Sequence, residues 1–267
     1  LPDDLVKAEA FGTAPLVPGL KELRLGLDTS KILPRLALEN GRLERIRMES
    51  WLESESGALN IDRANTPGPK AGPESWRQAA IEGGDFILRQ IQKDGRFHYQ
   101  YFPLRGVHPK PKRGHYSIPR HAGTIYSLSL IYAQTQTERF RKGAERAMKW
   151  LTRRIRAKCG TKDGACVANR GRASLGSAAL TAVAMLEYQR QTKDTRYEKQ
   201  IRGLLEFIRF LQRPDGEFGH VYYLKKKRVH PTYKSMFFSE EAALALVLGH
   251  KVLGDDTYIK AAEASLD

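Results

Sequence analysis

The sequence predicts a mainly α-helical protein made of repeated helical hairpins, with a small α+β or β appendage at its N-terminal side. The pattern Asp-Gly-x-apolar ends three helix-like stretches, at residues 94–97, 163–166 and 215–218. Each copy is followed by a loop and then by an apolar stretch rich in small residues. A hairpin that cannot bury its apolar face alone must stack on further copies. We therefore predict a helical-repeat domain over residues 76–267.

Residues 1–65 form the predicted appendage. Apolar residues alternate roughly over 22–28 and 43–52, and the turn sequence Asn40-Gly41 lies between these segments, which favours short strands. Residues 66–75 contain three prolines and two glycines, which cannot continue a helix or a central strand. We interpret them as the linker between the two domains.

The sequence predicts that the repeat domain is almost purely helical. The spacing of apolar residues predicts helices over 76–93, 123–135 with 138–156, 175–192 with 196–212, and 240–253 with a last helix from 257 onward. One unit takes about 60 residues, which is longer than ordinary repeats of helix pairs. The excess lies in the loops after Asp-Gly, and long loops in compact repeats usually carry function.

The charge of the chain favours anionic partners. The net charge is +15, but residues 1–75 hold 10 Lys and Arg against 12 Asp and Glu, so the repeat domain alone carries +17. Such a field attracts acidic glycans, nucleic acids, acidic proteins or phospholipid surfaces. No apolar stretch is long enough to span a bilayer, and no signal sequence stands at the start.

Two cysteines, Cys159 and Cys166, lie seven residues apart across a turn. They form either a local disulfide or two small apolar side chains, and they are too few for a zinc finger. The sequence begins with Leu1, so its compartment stays open, with a periplasmic or secreted location favoured over a cytoplasmic one.

The repeat domain resembles the α/α-toroid superfamily. In residues 86–97 and 207–218, an aromatic residue, a glutamine (Gln90 or Gln92; Gln212), Asp-Gly and a second aromatic follow one another, as in the Gln-aromatic repeat of terpenoid-cyclase-like toroids. The resemblance implies hairpins arranged in a ring of inner and outer helices. Toroids usually hold more than the three and a half hairpins counted here, so missing sequence or a second chain would complete the ring, or the chain forms an open arc.

Within this superfamily the sequence favours the glycan-processing branch, which includes six-hairpin enzymes. The Asp-x-Asp-Asp run of the terpene cyclases and the Gly-Cys-Gly-Glu-Gln thioester sequence are absent. Neither cysteine stands in the Asp/Cys/His or Cys/Cys/His setting of a catalytic zinc. We expect no metal ion and no cofactor.

The loops contain the candidate binding residues. The sequence Val-His-Pro occurs at 107–109 and again at 229–231, which is 122 residues further along, and lysines, arginines and tyrosines surround both copies. Cations beside aromatic faces suit a polymer that is anionic and can stack, such as a uronic-acid glycan or a single-stranded nucleic acid. A third, shorter loop over 165–174 adds Asn169, Arg170 and Arg172. The predicted substrate-binding residues are Tyr99, Tyr101, His108, Lys110, Lys112, Arg113, Tyr116, Arg120, Asn169, Arg170, Tyr223, Lys225, Lys227, His230 and Tyr233.

The candidate catalytic residues lie at or near the starts of the helices that follow these loops. They are His121, Tyr126, Glu240 and Glu241. A glycan lyase or epimerase needs a cation for the substrate carboxylate and a His or Tyr that takes the neighbouring proton. A hydrolase needs two carboxyl groups, for which Glu240 or Glu241 with Asp94 or Asp215 would serve. These residues could instead have purely structural roles: the aspartates in turns, the glutamates at a helix start and His121 as a hydrogen-bonded histidine.

The leading hypothesis is a carbohydrate-active enzyme that acts on an acidic, uronate-containing glycan by lyase, epimerase or hydrolase chemistry at the mouth of the helical ring. The alternative is a non-catalytic binding or scaffold module whose basic loops dock an anionic polymer or an acidic partner protein. Nucleic acid is a third candidate partner, but the lysines cluster at loops rather than along one helix.

Overall fold

The computed structural model describes residues 51–54, 57–60, 72–102, 106–109 and 116–266. The chain divides into two compact units, Leu1–Pro69 and Lys70–Asp267. In the first unit, strands β1 (Trp51–Ser54) and β2 (Gly57–Asn60) pair antiparallel, with Trp51 opposite Asn60. The strand predicted over 22–28 and most of that predicted over 43–52 lie outside the described residues, so the α+β appendage stays a prediction.

The second unit is mainly helical, as the sequence predicts. Its described part contains seven helices, which are α1 (Pro73–Arg89), α2 (Ile118–Thr135), α3 (Glu138–Thr152), α4 (Leu175–Thr192), α5 (Glu198–Leu211), α6 (Phe238–Leu253) and α7 (Asp256–Glu263). None of them is both long enough and apolar enough to cross a membrane.

Helices α1 and α2 begin three and five residues earlier than predicted. Helix α1 begins at Pro73, inside the predicted linker, because proline at a first helical position lacks only an amide hydrogen that would be unpaired there. Helix α2 begins at Ile118 rather than at residue 123, since the Ser117 hydroxyl accepts a hydrogen bond from the Arg120 amide and caps the helix. Arg120 and His121 consequently belong to the first turn of α2.

Helices α2, α4 and α6, called the central helices below, lie side by side. Helix α4 packs between α2 and α6, and each central helix also packs on the helix that follows it. Helix α4 is buried along most of its length and carries several alanines on its packed faces, namely Ala178, Ala179, Ala182 and Ala184. Small side chains let the neighbouring helices approach closely.

The central helices begin at the same end of the unit. Gly176, in the first turn of α4, faces Phe238 and Glu241 in the first turn of α6. Ile118 of α2 and Ser177 of α4 line one cavity. Unpaired amide groups give this end a positive potential.

Two of the three Asp-Gly turns have the same geometry. Oδ1 of Asp94 and Oδ1 of Asp215 each accept a hydrogen bond from the amide two residues further along, at 3.0 and 3.2 Å. Gly95 and Gly216 adopt φ angles of 93° and 81°, which glycine tolerates best. These contacts support a role in stabilising the turn, rather than a catalytic role, for Asp94 and Asp215.

The third Asp-Gly lies in a different turn. It connects strands β3 (Ile155–Ala157) and β4 (Ala165–Asn169), where a disulfide joins Cys159 to Cys166. Of the two possibilities that the sequence left open for these cysteines, the structure contains the disulfide.

Strands β3 and β4 belong to a five-stranded antiparallel sheet, so the expectation of an almost purely helical repeat domain needs correction. The other strands are β5 (Arg172–Ser174), β6 (Val221–Tyr223) and β7 (Arg228–Val229), and the order in the sheet is β3-β4-β5-β6-β7. Each strand has two to five residues, which is too short to show an alternating pattern.

We expect Gly216→Ala to destabilise the protein more than Gly254→Ala. Both glycines have positive φ angles, 81° and 68°. An added Cβ at Gly216 would collide with the carbonyl oxygen of Ala264, whereas at Gly254 it would meet no atom within 4 Å. Urea denaturation should show losses in the free energy of unfolding of about 3 and about 1 kcal/mol, respectively. Equal losses would show that the contact with Ala264 adds no cost.

Candidate functional site

A cavity of about 380 Å³ opens where helices α2 and α4 begin, beside strands β4, β5 and β6. Its volume is in the range of small-ligand sites. Residues from all three loops line it, namely Tyr116, Ser117, Ile118, Pro119, Val167, Asn169, Arg172, Ser174, Ser177, Val221, Tyr223, His230 and Tyr233. Five of the predicted substrate-binding residues therefore share one cavity, and these are Tyr116, Asn169, Tyr223, His230 and Tyr233.

The sheet gives the cavity a positively charged wall. The pairing of β5 with β6 sets Arg172 opposite Tyr223, and the guanidinium carbon lies 5.7 Å from the ring centroid. The Lys226 ammonium lies 5.9 Å from the same centroid. Cations are attracted to aromatic faces at such distances. None of the described residues that line the cavity is an aspartate or a glutamate.

His230 presents a hydrogen-bond donor. Its Nδ1 accepts hydrogen bonds from the backbone amides two and three residues further on, at 3.3 and 3.0 Å. A neutral imidazole that accepts at Nδ1 carries its proton on Nε2. The repeated histidine, His108, bonds differently, with Nδ1 at 3.0 Å from the Gln100 carbonyl oxygen, and it does not line the cavity.

Two groups form hydrogen bonds with the Tyr116 hydroxyl. The Phe97 amide donates to it at 3.0 Å, and His121 Nδ1 lies 2.8 Å away. His121 Nε2 lies 3.0 Å from the Ala147 carbonyl oxygen, which can only accept, so Nε2 carries the proton and the Tyr116 hydroxyl donates to Nδ1. Burial raises the pKa of Tyr116 to about 12 and lowers the pKa of His121 to about 4.

This arrangement suits a positioning role for His121. Its side chain is only 1% exposed and both ring nitrogens are engaged, so it reaches the cavity only through Tyr116. Its direct catalytic role stays a prediction. Tyr126 lies further along α2, is half-buried against the core and does not line the cavity.

Glu240 and Glu241 lie in the first turn of α6, at the end where the cavity opens. Glu240 is exposed, and Glu241 is half-buried with its carboxyl group against Gly176 of α4. Oε2 of Glu241 is buried and has no hydrogen-bond partner among the described residues. Burial, helped by the negative charge of Glu240, raises the pKa of Glu241 to about 7.

The remaining predicted binding residues lie around or away from the cavity. Arg120 and Tyr99 form a pair beside it, with Arg120 Nη1 donating to the Tyr99 hydroxyl at 2.9 Å. Outside the cavity lining are Tyr101, which lies beside His108, and Arg170, Lys225 and Lys227, which are exposed in the turns that follow β4 and β6. Lys110, Lys112 and Arg113 lie outside the described residues.

The sequence prediction missed several lining residues. Ser174 caps α4 by accepting a hydrogen bond from the Ser177 amide at 3.3 Å, and a serine just before an apolar helix is a recognisable cap signal. Val167 and Val221 give no such signal. In the part of the chain that the structure describes, no group of three His, Cys, Asp or Glu side chains could hold a metal ion.

Comparisons with known proteins establish the fold. No protein-family model and no curated protein matches the chain. A D-mannose isomerase structure matches with a TM-score of 0.59 and 15% identity over 74% of this chain and 51% of the isomerase. Cellobiose 2-epimerase from Spirochaeta thermophila DSM 6192 matches with a TM-score of 0.51 and 13% identity over 74% of this chain and 55% of the epimerase.

A third structure is an inactive variant of the α-1,6-mannanase of Salegentibacter sp. HEL1_6 in complex with α-1,6-mannotetrose. It matches with a TM-score of 0.50 and 11% identity over 71% of this chain and 68% of the mannanase. The chain therefore has a fold similar to that of α/α-toroid enzymes, which confirms the fold resemblance found in the sequence. The chain spans about half the length of the isomerase and of the epimerase.

We expect His121 to make the protein sensitive to acid. The unfolded chain binds a proton at the ordinary histidine pKa of 6.5, but the folded protein binds it only near pH 4. Stability due to this group is therefore complete above pH 6.5 and is lost as the pH falls toward 4, by about 3 kcal/mol. Between pH 7 and pH 4, urea unfolding should show a change in the free energy of unfolding that is less favourable by about 3 kcal/mol in the wild type than in His121→Gln, because other titrating groups such as Glu241 act equally in both proteins. His98→Gln, an exposed control, should behave like the wild type. The same change in the wild type and in His121→Gln would contradict the assignment.

We expect Glu241, in contrast to His121, to make the folded protein less stable as the pH rises. Because its folded pKa is about 7 against 4.5 in the unfolded chain, the folded state holds the proton more strongly and loses stability as the pH rises from 4.5 to 7. At pH 8, Glu241→Gln should raise the free energy of unfolding by about 1 to 3 kcal/mol. The neighbouring exposed variant Glu240→Gln should give a smaller gain. A destabilised Glu241→Gln protein at pH 8 would show that the charged carboxylate has a favourable partner.

Proposed function

We propose that this chain is a carbohydrate-active enzyme that acts on an acidic, uronate-containing glycan, and that the 380 Å³ cavity is its active site. The observation that carries the proposal is the composition of this cavity. It combines the Arg172 cation, the Nε2–H donor of His230 and three tyrosines with no carboxylate among its described lining residues. An anionic ring sugar needs such a lining, with donors and cations for its carboxylate and aromatic faces for its ring.

The fold supports the broad class of function. The similar structures are a mannose isomerase, a cellobiose epimerase and a mannanase, each with a carbohydrate in its name. We propose that residues 76–267 form an α/α toroid or an open arc of one, in which the central helices are the inner helices. Residues 1–65 and the linker over 66–75 would form a separate appendage.

Lyase or epimerase chemistry is favoured over hydrolysis at this cavity. In both reactions a base removes the proton from the carbon beside the carboxylate. In a lyase the C–O bond to the leaving sugar then breaks and that oxygen takes up a proton. In an epimerase a proton returns to the opposite face of the carbon. The carboxylate gains negative charge in both cases, and Arg172 is the cation placed to stabilise it.

The side chains divide into donors and candidate bases. In its neutral form His230 can only donate from Nε2, so it would hold the carboxylate or protonate the leaving oxygen. The base is then sought among the tyrosines that line the cavity. Tyr223, near the cations of Arg172 and Lys226, is the first candidate. Hydrolysis by Glu240 and Glu241 would need a ligand that extends toward α6.

One observation favours the non-catalytic alternative. The turn after β6 and the first residue of β7 expose four consecutive cations, Lys225, Lys226, Lys227 and Arg228. Such a turn can dock an anionic polymer or an acidic protein without chemistry. Binding that weakens steeply with salt, with no change in the glycan, would identify this function.

The deciding experiment is incubation with a panel of uronate-containing and neutral oligosaccharides in heavy water, followed by mass spectrometry. We expect cleavage without gain of water, which indicates a lyase, or deuterium uptake without cleavage, which indicates an epimerase. Gain of water would indicate a hydrolase and would contradict the roles assigned to Arg172 and His230. No change across the panel would overturn the enzymatic proposal.

Matched variants test the cavity itself. Arg172→Ala and Tyr223→Phe should each lower turnover of the uronate substrate by at least about 100-fold, the size typical of losing a charge stabiliser or a proton acceptor. Arg156→Ala is the control, because Arg156 is an exposed arginine of the same sheet that does not line the cavity. If all three variants keep wild-type turnover, the active site lies elsewhere.

A further inference from the structure

The third residues of the three central helices form a row at the end where the cavity opens. These residues are Arg120 in α2, Ser177 in α4 and Glu240 in α6. Ser177 lines the cavity, and packed helices lie roughly 8–10 Å apart. Arg120 and Glu240 therefore lie on opposite sides of the central position, one cationic and one anionic. A ligand longer than the cavity would meet one of them.

Arg120 is already ordered by an aromatic partner. Its Nη1 donates to the Tyr99 hydroxyl at 2.9 Å, and its guanidinium carbon lies 5.5 Å from the centroid of the Tyr99 ring. The Tyr99 ring in turn lies 5.5 Å from the ring of Tyr116, a wall of the cavity. Pro119, the residue before Arg120, also lines the cavity. The pair is thus continuous with the cavity rim.

The Arg120 charge has no carboxylate partner among the described residues, unlike the charges of Arg139 and Arg196, which also lie over aromatic rings. Arg139 lies over Phe140 but forms an ion pair with Asp85 at 2.7 Å. Arg196 lies over Tyr197 and forms an ion pair with Glu145 at 2.8 Å. A guanidinium has five N–H donors in a fork that matches a carboxylate. The bond to Tyr99 uses one donor and leaves the others available to a ligand.

We propose that Arg120, held by Tyr99, forms a second carboxylate-binding subsite next to the cavity and takes the neighbouring uronate of an acidic glycan chain. This inference rests on the proposed function. Two cationic positions then follow one another along the ligand, Arg172 in the cavity and Arg120 beside it. The protein would recognise a chain of adjacent uronates rather than a single acidic sugar.

The test compares a monosaccharide with a trisaccharide of the uronate series that gives the strongest response in the glycan panel. Isothermal titration should show that the wild type binds the trisaccharide more than tenfold more tightly than the monosaccharide. Arg120→Ala should weaken trisaccharide binding about tenfold, as expected for a lost charge-assisted contact, and should leave monosaccharide binding within twofold. Arg120→Lys, which keeps the charge but not the fork, should fall between the two, and so should Tyr99→Phe.

Arg139→Ala is the matched control, because it removes an exposed arginine over an aromatic ring away from the cavity. It should leave binding of both sugars unchanged. Thermal melting of each variant shows whether the fold is kept, and Arg120→Lys replaces Arg120→Ala if the latter does not fold. If Arg120→Ala weakens the binding of the monosaccharide and the trisaccharide equally, or weakens neither, the proposed subsite is wrong but the proposed function stands. Absence of binding of any uronate by the wild type would overturn the proposed function and the subsite with it.

Discussion

The burial of α4 between α2 and α6 is the constraint on which the rest of the described unit depends. The alanines and Gly176 of this helix have small side chains or none, so both neighbouring helices lie close to it. An added Cβ at Gly176 would meet Phe238 and the Glu241 carboxyl at about 2.5 Å. Because three helix starts are held at one end, the loops that lead into them must also end there. Residues as distant in sequence as Tyr116 and Tyr233 therefore share one cavity.

The pairing of β5 with β6 is the second constraint, because it decides which side chains face the ligand. It joins the strand that leads into α4 to the strand that follows α5, and it sets Arg172 opposite Tyr223. A slip of one residue in either strand would turn one of the two side chains to the other face of the sheet. The disulfide between Cys159 and Cys166 closes the neighbouring turn of the same sheet and so stabilises the strand that ends at Asn169.

Corresponding positions at the starts of the central helices carry different chemistry because their surroundings differ. The fourth residues of the central helices are His121, Ala178 and Glu241. His121 is buried with both nitrogens bonded, so it is neutral and holds Tyr116 in place. Glu241 lies against Gly176, and its Oε2 has no hydrogen-bond partner among the described residues. Burial raises its pKa to about 7, helped by the charge of Glu240. The same position thus holds a neutral histidine that positions Tyr116 in α2 and a carboxyl group with a raised pKa in α6.

Local sequence signals predicted the mainly helical fold, most helix bounds and the turn contacts of Asp94 and Asp215, because periodicity, caps and Asp-Gly turns act over a few residues. The sequence also identified the loops that supply the cavity, since tyrosines and cations cluster there. Only the tertiary structure decided that Arg172 meets Tyr223 and that His121 lies behind Tyr116. Those contacts join residues from different elements, and short strands leave no periodic trace from which such a pairing could be inferred.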